Sequence, residues 1–322
     1  MLGRLVPRAA LSSRRHSSLL SPLCLSFSSR AMSSAAAAPS TFKIALCQIS
    51  VGDDKQKNIA TATAAVAEAA RNGAKVISLP ECWNSPYATT SFPQYAEAIP
   101  TEKAQLTPDA HPSTSALSQL AKQHQIYLIG GSIPEREGEN VYNTCVIFSP
   151  EGEILAKHRK VHLFDIDVPG QITFRESDTL SAGNSITVFD TPYCKIGVGI
   201  CYDIRFPELS MLMRRQGAKL LVFPGAFNLT TGPAHWELLQ RARAVDNQLY
   251  VAAASPARGP EGGYQAWGHS TVVSPWGEIV STCEHSDAIV YADLELEKVD
   301  TMRRNIPTSL QTRKDLYELT QK

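Results

Sequence analysis

The residues with the most chemical content are a cysteine, a glutamate and a lysine, each at the end of a strand-like run. In Lys195-Ile-Gly-Val-Gly-Ile-Cys201-Tyr-Asp-Ile-Arg-Phe-Pro207-Glu208 an apolar strand pattern ends at Cys201, and Pro207 opens a helix six residues later. Proline suits the first helical turn. A thiol held between a strand end and a helix start meets free backbone N–H groups and the positive end of a helix dipole, which favour thiolate and a developing oxyanion. That is a nucleophile's setting, although a lone cysteine in an α/β chain is more often a core residue. Gly197 and Gly199 do not make a dinucleotide fingerprint, because position 202 is Tyr.

A cysteine nucleophile needs a base and donors for the oxyanion. Histidine is the familiar base, but His158 and His162 stand four apart at and just beyond a strand-like run, Ile154 to Lys160. Metal-ligating pairs at that spacing belong on helices, so no metal site is expected. Acids and lysines fit better: Glu81 follows Leu79-Pro80, and Lys160 closes Lys157-His-Arg-Lys160. Pro80, Cys82 and Trp83 flank Glu81, and apolar neighbours raise a carboxyl toward the pKa of a working general base.

The elements that must position these groups read as alternating strands and helices. Phe42 to Ile49 alternates as a strand, Asn58 to Asn72 carries a helical stripe with Asn58 as N-cap candidate and Gly73 at its end, and Lys75 to Leu79 is a second strand stopped by Pro80. Strand, helix, strand is a parallel crossover. Further strands are predicted over 126–130, 143–148, 154–160, 195–201, 219–223, 249–254, 269–274 and 288–293, with helices over 114–125, 207–216 and 234–247. Ser149-Pro-Glu-Gly152 and Ser274-Pro-Trp-Gly277 read as hairpin turns, so the sheets are mixed. No linker breaks the chain after Ser40, which predicts a targeting segment over 1–40 and one large α/β domain over 41–322.

Composition narrows the function classes. Lys plus Arg and Asp plus Glu number 31 each, yet residues 1–40 hold five arginines and no acid, leaving 26 basic against 31 acidic residues in the body. That body lacks the positive surplus of a nucleic-acid binder. The same 40 residues contain eleven serines, the composition of a mitochondrial or plastid transit peptide. A start at Met32 would give an untargeted, cytoplasmic product. No 18-residue apolar run occurs, so no membrane span is expected. Seven scattered cysteines with no Cys-x-x-Cys pair fit neither a disulfide framework nor a zinc ribbon.

Leu-Pro-Glu81, His-Arg-Lys160-Val-His and Gly-Ile-Cys201-Tyr-Asp-Ile-Arg-Phe-Pro-Glu, in that order, resemble the three motifs of the nitrilase, or carbon-nitrogen hydrolase, superfamily, and the match extends over nearly all of 42–317. The resemblance implies an αββα sandwich, a Glu81-Lys160-Cys201 triad without metal or organic cofactor, and a homodimer mediated in part by the tail from Ile306 to Tyr317. By resemblance Glu176 is a second carboxylate that orients Lys160. Asn84-Ser-Pro-Tyr87, His162-Leu-Phe-Asp-Ile-Asp-Val-Pro-Gly170, Ile172-Thr-Phe-Arg-Glu-Ser177 and Phe223-Pro-Gly-Ala-Phe-Asn-Leu-Thr-Thr-Gly-Pro-Ala-His-Trp236 look like the ω-amidase branch. That branch hydrolyses the terminal amide of 2-oxoglutaramate and 2-oxosuccinamate to a 2-oxo dicarboxylate and ammonia; the sister deaminated-glutathione amidases are the runner-up. A non-catalytic binding module on the same fold is disfavoured because all three triad residues are present.

Such a substrate carries a fixed negative charge far from the reacting amide. Arg205 suits it as a bidentate donor, with Tyr87, Thr230 and Thr231 as further donors and the backbone of Tyr202 beside the oxyanion. Phe227, Trp83 and Trp236 are candidates for pocket walls or for plain core aromatics. The stretch Thr107 to Ser113 looks longer than the family's usual connection and is expected at a pocket lip or an interface.

Overall fold

The computed structural model describes residues 39–170 and 172–322. In chain order, β1 (Thr41–Gln48), β2 (Val76–Ser78), β3 (Tyr127–Ile129), β4 (Ile133–Glu137), β5 (Asn140–Phe148) and β6 (Ile154–Arg159) form most of one sheet. A separate hairpin follows, β7 (Asp165–Val168) and β8 (Ile172–Arg175). The second sheet is β9 (Thr187–Asp190), β10 (Lys195–Val198), β11 (Ala218–Pro224), β12 (Tyr250–Ala254), β13 (Thr271–Val273) and β14 (Ile279–Thr282). Finally β15 (Ala288–Glu295) returns to pair antiparallel with β1. The sheets are mixed: β1, β2 and β3 run parallel, as do β10, β11 and β12, with antiparallel strands outside them.

Burial on both faces of the strands dictates the layering. Along β1, Phe42, Ile44 and Leu46 enter a core shared with Ile196, Val198, Val222 and Val251 of the other sheet. The alternate residues Ala45 and Cys47 pack instead with Ala62, Val66 and Leu117 of the helices α1 (Lys55–Arg71) and α3 (Pro112–His124); a single turn, α2 (Phe92–Tyr95), lies between these two in sequence. On the far side, α4 (Pro207–Arg215) and α5 (Gly232–Asn247) cover the second sheet, with α6 (Leu296–Asn305) and α7 (Thr308–Gln311) beyond it in the chain. Two sheets face to face, each coated by helices, make the expected αββα sandwich. Both hairpin turns are present, with Gly152 at φ 78° and Gly277 at φ 79° supplying the left-handed residue.

Several local expectations are corrected. The first helix begins at Lys55, and its N-cap, four residues before Asn58, is Asp54, which accepts from the N–H groups of Gln56 and Lys57. Asn58 is buried inside the helix, where its amide exchanges two hydrogen bonds with Gly52. The helix expected from Thr114 opens at Pro112, so the stretch Thr107–Ser113 ends in its first turn. That stretch folds on itself through Thr107 and His111 and lies toward Gln56 and Ile59 of α1. It does not line the cavity beside Glu81. The strand expected to reach Cys201 stops at Val198, and residues 201–205 form a single 3₁₀ turn before Pro207. None of the described helices is long and apolar enough to cross a membrane. The transit-like segment lies outside the described residues, except for its last two positions.

Candidate active site

Four chain segments leave the sheets beside one another and carry the candidate residues. Glu81 follows β2 after Leu79-Pro80, Lys160 follows β6, Cys201 follows β10, and Gly225-Ala226 follow β11. Cys201 sits at φ 46°, a left-handed conformation that costs about 1–3 kcal/mol for a non-glycine residue and that surrounding structure must hold. Gly225 makes this possible, since a Cβ there would stand 3.1 Å from the Cys201 Cα and 3.3 Å from Trp236. Asp203 locks the same turn. Its buried carboxylate accepts from Ile200 N–H (2.9 Å), His162 N–H (2.9 Å), His162 Nδ1 (2.7 Å) and His158 Nε2 (3.2 Å). Burial alone would raise the Asp203 pKa, but these donors hold it well below the usual carboxylate range. The two histidines therefore brace the turn, and among the described residues no cluster is suited to a metal ion.

The charges converge on Lys160. Its Nζ donates to Glu81 Oε1 and to Glu176, each at 2.9 Å, and all three side chains are fully buried. Glu176 is further fixed by Phe164 N–H (2.8 Å) and by the Tyr87 hydroxyl (3.2 Å). Glu81 receives Asn143 Nδ2 on Oε1 and Ala226 N–H on Oε2, each at 2.8 Å, and lies within hydrogen-bonding reach of the Cys201 thiol.

Burial raises the Glu81 pKa, opposed by the Lys160 charge and reinforced by Glu176. For Lys160 burial pulls downward, but the two carboxylates carry it well above its ordinary value, so it is a fixed cation. The Cys201 thiol is pushed well above its ordinary value by burial first and by Glu81 next. The thiol and the Glu81 carboxyl are thus both raised by burial, and each charge acts on the other. Cys47 and Cys194 are both pushed up to about 12, by burial first, and pack as core residues.

A cavity of about 210 Å³ opens onto Glu81, Cys82, Tyr87, Ala257, Tyr264 and Ala266 and stops short of the buried Cys201. The Tyr87 and Tyr264 rings pack tilted at 34° with 4.3 Å between centroids, and the Tyr264 hydroxyl donates to Ala226 C=O at 2.5 Å. Arg205 is half-buried, its guanidinium carbon 4.9 Å from the Phe227 ring centroid and 5.6 Å from that of Tyr202.

Arg205, Tyr202 and Phe227 lie beyond the lining of that cavity, and other candidates also fall elsewhere. Thr230 is exposed, and the Thr231 hydroxyl is engaged by Asn228 Oδ1 at 3.1 Å, which also takes both threonine N–H groups. Trp83 is a core aromatic between the first sheet and its helices, donating to Gly130 C=O, and Trp236 packs edge-on to Phe227 behind Gly225. Sequence reasoning missed Asn143, Asp203, Tyr264 and Ala226. Asn143 and Asp203 are buried polar residues on or beside apolar strand runs, which is a usable signal; Tyr264, in a Gly/Pro-rich loop, offers none.

This fold with these motifs defines the class. Residues 43–304 match the carbon-nitrogen hydrolase family, and the chain belongs to it. It is similar to the omega-amidase NIT2 of Mus musculus, 57% identical over 283 residues that cover 88% of this chain and 99% of that protein. The omega-amidase NIT2 of Homo sapiens is 56% identical over 282 residues, with the same coverage. Among solved structures, Saccharomyces cerevisiae Nit3, a member of branch 10 of the nitrilase superfamily, aligns with a TM-score of 0.77 and 44% identity over 85% of this chain and 97% of that one.

Proposed function

We propose that the chain is a cofactor-free ω-amidase acting on 2-oxo dicarboxylate monoamides such as 2-oxoglutaramate and 2-oxosuccinamate. The observation that carries the chemistry is the buried Glu81-Lys160-Glu176 cluster beside the Cys201 thiol. Similarity over nearly the whole length of omega-amidases supports the substrate class.

Glu81 takes the Cys201 proton as the sulfur attacks the amide carbon, because neutral thiol is a poor nucleophile. The raised Glu81 pKa suits this step. The oxyanion is stabilised by the Lys160 ammonium and by Tyr202 N–H, which has no acceptor among the described residues. One such donor commonly lowers the barrier by about 2.7–4 kcal/mol. Glu81 then protonates the departing ammonia, and the same carboxylate activates the water that hydrolyses the Cys201 thioester. Arg205, a half-buried cation with no carboxylate partner among the described residues, meets the substrate's far carboxylate.

We further propose a homodimer, and delivery to a mitochondrion or plastid by the first 40 residues. Ammonia release from 2-oxoglutaramate, deaminated glutathione and an aliphatic nitrile tests the substrate reading, and preferential turnover of deaminated glutathione overturns it. Cys201→Ala is expected to abolish ammonia release; a variant working at the original rate refutes the thioester route.

A further inference from the structure

Arg205 ends the 3₁₀ turn that begins at Cys201, and Arg243 of α5 anchors that end by donating to Ile204 C=O (2.8 Å) and to Arg205 C=O (3.1 Å). Its guanidinium has one hydrogen-bond partner among the described residues, Nδ1 of His235 at 3.2 Å. His235 stands in the first turn of α5, its N–H bonded to Thr231 C=O at 2.9 Å, and its neighbour Trp236 is buried in the core.

A guanidinium has no lone pair to offer, so the proton in this contact belongs to Arg205. His235 Nδ1 is therefore the acceptor in this contact. A carboxylate in that place would have cancelled the charge and occupied the fork. An imidazole nitrogen accepting one N–H orients the group, brings no negative charge against it, and leaves the remaining donors free. The neighbouring aromatic rings of Tyr202 and Phe227 compete for no hydrogen bond.

We infer that His235 is a specificity-determining positioning residue, which holds Arg205 as an oriented and uncancelled cation for the carboxylate of an anionic amide substrate. The inference rests on the ω-amidase reading and adds to it the reason why Arg205 stays available. Its alternative is that His235 merely caps a packed helix start.

The test compares the purified full chain with His235→Phe, which keeps the planar ring but removes the acceptor, and His235→Asn, whose Oδ1 stands where Nδ1 does. Each is assayed with 2-oxoglutaramate and with a neutral short-chain amide, beside Arg205→Met. For His235→Phe, KM for 2-oxoglutaramate is expected to rise about tenfold, equivalent to about 1.4 kcal/mol, with kcat within about twofold. Turnover of the neutral amide also serves as the folding control and is expected to be unchanged. His235→Asn is expected to restore the low KM. Equal losses on both substrates, or an unchanged KM in His235→Phe while Arg205→Met raises it, overturn the inference and leave the ω-amidase reading standing. A wild-type enzyme that shows no preference for the anionic amide, together with an inert Arg205→Met, overturns both.

Discussion

Replacing Lys160 by methionine keeps most of the side-chain volume and removes the cation that bridges two buried carboxylates. Lys160 Nζ lies 2.9 Å from both Glu81 and Glu176, and no part of the three side chains reaches solvent. Breaking a buried ion pair by removing one partner costs about 3–5 kcal/mol. At about 2–4 °C per kcal/mol for a domain of roughly this size, Tm should fall by about 6–20 °C at neutral pH. The variant escapes part of that cost by protonating one carboxylate, whose folded-state pKa then stands further above its unfolded value. Stability linked to such a group is fully present below the unfolded pKa and is lost as pH rises through the folded one. The Tm deficit should therefore be smaller near about pH 5 than near about pH 8. Ammonia release should fall about 10²–10³-fold with the loss of an oxyanion donor. Thermal melts of wild type and Lys160→Met across that pH range are the assay. A deficit below about 2 °C, or one that does not change with pH, would refute the reasoning that Lys160 alone balances the pair.

Two further outcomes follow from the same geometry. Asn143→Ala removes a 2.8 Å donor from the ionised form of Glu81. The Glu81 pKa should rise further, and the acidic limb of kcat/KM should move to higher pH; a limb that stays in place contradicts this. Asp203→Asn deletes a carboxylate whose folded pKa is held well below normal, so its contribution is present above the unfolded value of about 3.9 and fades as pH falls below it. The variant should melt several degrees lower at neutral pH, with the gap closing below about pH 4, and a gap independent of pH would count against the brace formed with His158 and His162.

Much of the architecture was legible because it rests on periodicity. Apolar alternation marks β1, the stripe Ala62-Val66-Ala69 marks α1, and Pro80 and Pro207 punctuate the chain where β-rich and helical segments change. Element ends were less legible, since a cap is decided by which side chain reaches an N–H. Asp54 takes that place from Asn58, four residues away on the same turn sequence. The hairpin β7–β8 and the short strand β9 carry too few buried residues to imprint a pattern.

At the site the division is sharper. Glu81, Lys160 and Cys201 declare themselves by residue type, by order and by their place after strand runs, all of which are one-dimensional facts. Their protonation is not. Whether Cys201 rests as thiol or thiolate depends on the balance between a helix dipole, burial and two nearby carboxylates, and only packing sets the distances that decide it. The same holds for Arg205, which from the chain alone might equally have paired with an acid. That it pairs with His235 instead is settled by the packing of α5 against the 3₁₀ turn, two elements thirty residues apart in sequence. Residue types and their order are properties of the covalent chain; dielectric, charge balance and orientation arise only once distant segments exclude water together.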